Sequence, residues 1–330
     1  MKELQRDLSV FKDIVALVKL CRIIKVYRPD ILHSHTAKAG TIGRITGKIM
    51  RVRCLVHTYH GHVLHSYFSE LYTKVIRFIE RKLSNFTTTI ITISEEQYND
   101  IVNKYAISTH SKTRIIPLGF DFKKLVNHNV QAGSIRRELG IKKDIQLLGF
   151  VGRLVPIKNI QLLIKAVHEY SKGNPNTKLL IIGDGPERLS LEKLVEHLKM
   201  NDYVKFLGVR FELSAIYYDL DLFILTSRNE GTPVAVIEAL AHGVPVVTTD
   251  VGGIQSIITK PEMGKIVSSF DPDQIALTIN EMINLGLTKS RDRYLWFTEM
   301  QRNFGHRRLI GDIEKLYLNL IYKMYGPNIT

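Results

Sequence analysis

Two glutamates separated by seven residues, Glu230 and Glu238, stand in the stretch SRNEGTPVAVIEALAHGVPVVTTDVGG, residues 227–253. Carboxylates accept paired hydrogen bonds from sugar hydroxyls, so two acids on one loop and helix, followed by the small-residue turn 250–253, suit recognition of a polyol. The competing reading is an ion pair between Glu238 and a nearby Arg or Lys, because an unpaired buried charge is costly. A further charged pair, Arg153 and Lys158, follows an apolar run in GRLVPIKN, at what reads as the carboxyl end of a strand. Six histidines lie close together in the first third of the chain: His33, His35, His57, His60, His62 and His65. Their H-x-H and H-x-x-H spacings raise the question of a metal. No Cys or acidic motif completes a tetrahedral set, so a loop lined with backbone-satisfied histidines is the favoured reading.

The elements that position the two glutamates follow from pattern. Asp221–Thr226 is an apolar, β-prone run of the kind found in buried parallel strands, and PVVTT (245–249) is another. A helix must lie between them. Thr232 suits its N-cap, and Pro233 its first position. In a strand–loop–helix–strand unit, the strand's carboxyl end and the helix's amino end meet at one edge. Exposed N–H groups and the helix dipole favour an anion there, and a phosphate is the expected occupant.

The full constellation, EGTP before and EALAHGVPVV after the paired acids, closely resembles the E-x7-E signature of the retaining glycosyltransferases of family 4, which have the two-domain GT-B fold. The resemblance implies that Glu230 contacts the transferred sugar and Glu238 the ribose hydroxyls of the nucleotide. Gly231, Thr232 and Pro233 then lie in the loop that faces sugar and diphosphate. GRLVPIKN resembles the family's second signature, which implies that Arg153 and Lys158, beside Gly152, bind the donor diphosphate. Two fixed cations stabilise a leaving nucleoside diphosphate more in the transition state than in the ground state. KLLIIGDGPER (178–188) lacks the third glycine of a dinucleotide fingerprint, since Arg188 stands in its place. In the family this turn lines the nucleotide pocket through residues matching Gly183 and Gly185, with Arg210 near the base.

The first half resembles the same family through RPDILHSHTAKAG, VHTYHG, ITISEEQ and RIIPLGFD, particularly its builders of bacterial polysaccharides and lipid-linked oligosaccharides. The HG motif implies that His60 stands near the donor sugar. The family generally works without metal, and no cofactor is implied beyond the nucleotide sugar itself, a UDP-sugar. The implied acceptor is a saccharide or a polyprenyl-diphosphate-linked saccharide. A complete first domain of this fold opens with a β-strand and a Gly-rich loop. Met1 corresponds to a position inside a later helix, so the first domain is expected to be incomplete, by truncation of the chain or reduction of the domain. Two readings compete with catalysis: a nucleotide-sugar-binding scaffold without activity, and, ranked lower, a UDP-sugar epimerase or hydrolase of the same fold.

At 330 residues and with 45% hydrophobic and 24% charged residues, the chain has the composition of a globular protein with room for two cores. The expected class is α/β with two Rossmann-like parallel-sheet domains. The first spans 1–130 and the second 131–308, with a terminal helix at 309–330 returning to the first domain. The stretch 117–144 reads as the hinge, and HSHTAKAG as a loop before a basic helix at 40–50.

The net charge of +14 is uneven, for residues 1–140 carry 23 Lys and Arg against 11 Asp and Glu, and the remainder 23 against 21. Such a bias calls for an anionic partner, and a phosphorylated lipid or anionic membrane surface competes with nucleic acid. The family resemblance favours the membrane. Arg44, Lys48, Arg51 and Arg53, with Lys74, Arg77, Arg81 and Lys82 on an amphipathic helix at 69–84, are the expected contact. Two cysteines without ligand spacing suit a reduced, cytosolic protein, and no apolar run is long enough to span a bilayer. Any membrane contact is therefore expected to be peripheral, on the inner face.

Overall fold

The computed structural model describes residues 10–61, 70–286 and 289–326. The chain divides into two units, one holding the chain up to Leu118 and again from Arg307, the other Gly119–His306. Both are parallel-sheet α/β structures, as the alternation of strand and helix implies.

In the first unit α1 (Val10–Tyr27), β1 (Ile31–His35), α2 (Ala37–Ile49), β2 (Cys54–Thr58), α3 (Glu70–Phe86), β3 (Thr89–Thr92), α4 (Glu95–Asn99) and β4 (Thr113–Ile115) follow in order. The sheet order is β1-β2-β3-β4, every pair parallel. Ser94 caps α4 as its position suggests, its side chain accepting from the Gln97 N–H.

The helix α2 begins at Ala37, inside the segment read as a loop. Its glycines, which look like loop residues, are contact positions. A Cβ on Gly40 would lie 2.2 Å from the His57 ring and one on Gly47 2.4 Å from Leu55, so the helix backbone lies directly on β2. The same packing overturns the expectation that Arg44 faces lipid. Arg44 is 1% exposed; its guanidinium donates to the Glu80 carboxylate of α3 at 2.8 Å and to the Gly40 carbonyl at 3.0 Å. The Tyr59 hydroxyl donates to the same Glu80 oxygen.

The second unit contains α5 (Phe122–Leu125), α6 (Ser134–Leu139), β5 (Gln146–Val151), α7 (Ile160–Gly173), β6 (Thr177–Ile182), α8 (Arg188–His197), β7 (Val204–Gly208), α9 (Ser214–Asp219), β8 (Leu222–Leu225), α10 (Val234–Ala241), β9 (Val246–Thr249), β10 (Gly264–Val267), α11 (Pro272–Asn284) and α12 (Lys289–Phe304). Its parallel sheet has the order β10-β9-β8-β5-β6-β7. The boundary between the units falls inside the stretch expected to be a hinge, between Leu118 and Gly119, and the rest of that stretch packs into this unit: Phe122, Val126, Ile135 and Ile141 join its core, and the Asp219 carboxylate accepts from the N–H groups of Gly133 and Arg136. The last helix, α13 (His306–Tyr325), places Leu309, Ile313, Leu316 and Leu320 against Cys54, Val56, Ile91 and Ile116 of the first unit's sheet.

The strand order fixes where a ligand can sit. The chain leaves β5 for β6 on one side, whereas β8 pairs with the other side of β5. Between β5 and β8 the winding reverses, so the helices that follow them, α7 and α10, lie on opposite faces of the sheet. Such a switch point opens a crevice.

Glu80→Gln leaves Arg44 buried without its countercharge, a change that typically costs roughly 3–5 kcal/mol. Urea unfolding followed by circular dichroism is expected to show an early first transition in this variant. An unchanged curve would show that Arg44 reaches water.

Candidate functional site

The loop after β5 is GRLVPIK and the loop after β8 is TSRNEGTP. Both leave the switch point and are laced together. The Arg228 N–H donates to the Ile157 carbonyl at 2.8 Å, and the Thr226 hydroxyl to the Asn159 carbonyl at 3.0 Å. Across this seam Lys158 Nζ donates to Glu230 Oε1 at 2.5 Å, and Ser227 Oγ donates to the same oxygen at 2.7 Å. Both side chains of the pair are mostly buried, at 20% and 12% exposure. Arg153 is exposed on the same loop as Lys158.

The helix α10 starts one residue later than its sequence suggests. Pro233 is the N-cap and Val234 the first helical residue, so the Thr232 hydroxyl does not cap. The proline holds a non-helical ψ of 88°, so the helical backbone begins only at Val234. Thr232 Oγ1 and Asn229 Nδ2 are instead buried with no hydrogen-bond partner among the described residues. Buried polar atoms are normally satisfied, and two orphans beside a helix's unpaired first N–H groups mark a place for a polar ligand.

Glu238 lies one turn into α10, half-buried. Its partner is a phenol, not the Arg or Lys of the ion-pair reading: the Tyr217 hydroxyl of α9 donates to Glu238 Oε2 at 2.9 Å. Burial raises the Glu238 carboxyl above its ordinary pKa, with the Tyr217 hydrogen bond opposing the shift. Tyr217 is fully buried and pushed up strongly by burial and by the adjacent carboxylate. Ring stacking on His242 at 5.0 Å fixes the phenol, and His242 in turn contacts the Ser214 hydroxyl.

The turn after β6 docks on the loop after β5 by backbone alone. The Gly152 N–H donates to the Ile182 carbonyl, and Leu154 to Asp184. Gly183 has φ +127°, and a Cβ there would lie 1.9 Å from the Gly152 oxygen; a Cβ on Gly185 would lie 2.3 Å from the Leu154 oxygen. The glycines thus serve close backbone approach, bringing the two loops to one edge. Arg210, after β7, is partly exposed and donates to Glu138 at 2.7 Å.

The switch point therefore gathers Arg153, Lys158, Glu230, Gly231, Thr232, Pro233 and Glu238, with Gly152, Gly183 and Gly185 in the loops beside them. His60 belongs to the other unit, where its Nε2 lies 2.8 Å from His35 Nδ1. His62 and His65 lie outside the described residues. Sequence reasoning missed Ser227, Asn229 and Tyr217. Ser227 and Asn229 flank the motif and were open to notice, whereas Tyr217 is brought to Glu238 only by the docking of α9 on α10. Among the described residues no three His, Cys, Asp or Glu side chains form a group able to hold a metal.

Comparison with known proteins agrees with this fold. Residues 132–295 match the model of the family described as glycosyl transferases group 1, and residues 5–124 that of glycosyltransferase family 4. The chain is 26% identical to the UDP-Gal:alpha-D-GlcNAc-diphosphoundecaprenol alpha-1,3-galactosyltransferase of Escherichia coli, over 96% of this chain and 82% of that one. It is 30% identical to the D-inositol 3-phosphate glycosyltransferase of Corynebacterium efficiens, over 87% of this chain and 70% of that one. The crystal structure of Anabaena HepE in complex with UDP superposes with a TM-score of 0.81 at 22% identity, covering 92% of this chain and 82% of that one. The fold is therefore GT-B.

The raised Glu238 carboxyl makes a testable pH signature. Its ionised form is disfavoured by folding, so the native state loses stability as pH rises from the ordinary carboxylate range through the raised value. Gln keeps an acceptor for Tyr217 and removes the charge. The stability of Glu238→Gln relative to wild type is expected to grow as pH rises from 4 to 8. Urea unfolding can be followed by the fluorescence of Trp296, the sole tryptophan, buried in this unit. A difference independent of pH would show that Glu238 ionises as freely in the fold as out of it.

Proposed function

The chain belongs to the glycosyl transferases group 1 family, and from that premise we propose that it is a retaining, metal-independent hexosyltransferase. The donor is a nucleoside diphosphate sugar, with UDP as the nucleotide. The acceptor is a saccharide carried on a polyprenyl diphosphate, in the assembly of a bacterial surface polysaccharide. The observation that carries this reading is the Lys158–Glu230 pair at the switch point, a cation and a carboxylate poised beside orphaned polar atoms. The relative from Escherichia coli, matched over nearly the whole chain, is named for a UDP-sugar donor and a diphosphoundecaprenol acceptor, which supports both assignments.

In this reading the diphosphate lies against the loop 152–158 and the start of α10. Arg153 and Lys158 stabilise the charge that develops as the bond from C1 to the phosphate oxygen breaks. Glu230, released from Lys158 as the phosphates take its place, holds hydroxyls of the hexose, and Glu238 holds those of the ribose. Gly231, Thr232 and Pro233 bring backbone to the sugar and phosphates, Gly183 and Gly185 line the nucleotide, and Arg210 stands near the base. His60 contributes on the sugar side. The acceptor oxygen attacks C1 on the face the phosphate leaves, and its proton passes to the departing phosphate oxygen. This front-face route needs no carboxylate nucleophile. That suits a site whose Glu230 is paired with Lys158 and whose Glu238 is bonded to a tyrosine.

The acceptor's lipid calls for a peripheral membrane contact on the inner face. No described helix is long and apolar enough to cross a membrane. The helix α3 supports a surface contact, with Leu71, Val75 and Phe78 exposed at 76%, 48% and 57%. Its cations are not equivalent: Arg81 donates to the carbonyls of Tyr105 and Ala106, and Arg77 stacks on the Tyr105 ring. The apolar row, with Lys82 beside Phe78, is the part proposed to reach lipid.

The test is transfer of radiolabelled hexose from UDP-hexoses to a polyprenyl-diphosphate saccharide in anionic vesicles. The full chain is expected to release UDP and extend the acceptor, and Lys158→Ala to reduce turnover by about 100-fold, the scale for losing one group that stabilises developing charge. Leu71→Gln with Phe78→Gln is expected to abolish the advantage of anionic vesicles over detergent. Binding of the donor without UDP release would make the chain a binder and overturn the enzymatic reading.

A further inference from the structure

The first unit holds a second cluster of polar chemistry at the carboxyl ends of β1 and β2. The register pairs His33 with Val56 and His35 with Thr58, so β1 brings His35 beside the turn that carries His60. His35 Nδ1 and His60 Nε2 are 2.8 Å apart. The His35 ring lies 4.2 Å from that of His33, tilted by 31°. His33 is held at both nitrogens, Nδ1 by the Tyr317 hydroxyl of α13 at 2.5 Å and Nε2 by the Thr58 hydroxyl at 2.7 Å. The three rings, Thr58 and Tyr317 line a cavity of about 220 Å³ together with apolar side chains, Ile93 and Ile313 among them.

An imidazole pair joined through nitrogen has one donor and one acceptor, so the tautomer of one ring dictates the tautomer of the other. Partial desolvation lowers all three pKa values, His33 to about 4, and the neighbouring rings add to the shift of His33 and His60, so the rings are neutral at pH 7. His35 and His60 are themselves exposed. A neutral hydrogen bond at an exposed site adds little to stability, but it does restrict a ring to one orientation and one proton arrangement.

We propose that His35, anchored through His33 to Thr58 and Tyr317, is a positioning residue that fixes the ring plane and tautomer of His60, and so decides whether His60 Nδ1 donates to or accepts from the transferred sugar. This rests on the proposed role of His60 on the sugar side and adds the residue that prepares it.

The experiment combines ring ¹⁵N spectroscopy of the full chain at pH 7.5 with transfer kinetics. In wild type His60 is expected to occupy a single tautomer. His35→Asn places an amide where Nδ1 stood and is expected to retain that tautomer and most of kcat. His35→Gln, whose amide falls nearer the Nε2 position, and His35→Ala are expected to show exchanging tautomers and a kcat lower by about tenfold, with the donor KM changed less than about twofold. His35→Ala combined with His60→Ala is expected to be no slower than His60→Ala alone, because the first residue acts through the second. A single unchanged tautomer in His35→Gln and His35→Ala, or additive losses in the double variant, would overturn the proposal. Full transfer by His60→Ala would instead remove His60 from the proposed mechanism, and the tautomer spectra would still decide whether His35 positions it.

Discussion

The Lys158–Glu230 ion pair is the interaction on which the donor-side architecture turns. It closes the seam between the loops of two adjacent strands, β5 and β8, at the point where the winding of the sheet reverses. An exposed pair of this kind contributes about 0–1 kcal/mol, whereas removing one partner of a fully buried pair costs about 3–5 kcal/mol. At 20% and 12% exposure this pair stands between the limits. It is strong enough to hold the loops without ligand, and wet enough for a diphosphate and a polyol to replace each partner. The residues that would serve the substrate thus satisfy each other before it arrives.

The two glutamates are set apart by their surroundings. Glu230 faces a lysine ammonium and a serine hydroxyl, which donate to the same carboxylate oxygen. Glu238 is flanked by apolar α10 residues and a tyrosine, and burial raises its pKa. The difference suits the two tasks proposed for them: an acid at the sugar beside the phosphates, and an acid at a pair of ribose hydroxyls, which would donate to it as Tyr217 already does.

Much of this was legible in the chain, for reasons that can be located. β8 and β9 lie inside the runs 221–226 and 245–249 read as buried strands, because short apolar, β-prone runs at this spacing admit one reading. The switch-point loops were recognisable from motif residues at fixed spacing. The failures are tertiary. Small residues in HSHTAKAG looked like a loop, yet α2 already begins at Ala37 and lays Gly40 against the His57 ring of β2. The hinge read at 117–144 is confined to the unit boundary at Leu118 and Gly119, while Phe122, Val126, Ile135 and Ile141 beyond it are core. Arg44 was indistinguishable from its basic neighbours until Glu80 and Tyr59 arrived from other elements. Tyr217 gives no sign in sequence that it will meet Glu238.

The central claim is that Lys158 and Glu230 are each other's substitute for parts of one ligand, the diphosphate and the sugar. Calorimetric titration of Glu230→Gln with UDP and with the UDP-hexose that the wild type turns over tests this most directly. The account predicts that the variant binds UDP as tightly as wild type or more tightly, since Lys158 is freed, while the hexose contributes less to binding than it does in wild type. Equal losses of affinity for UDP and UDP-hexose would contradict it, and would make the pair a structural clasp.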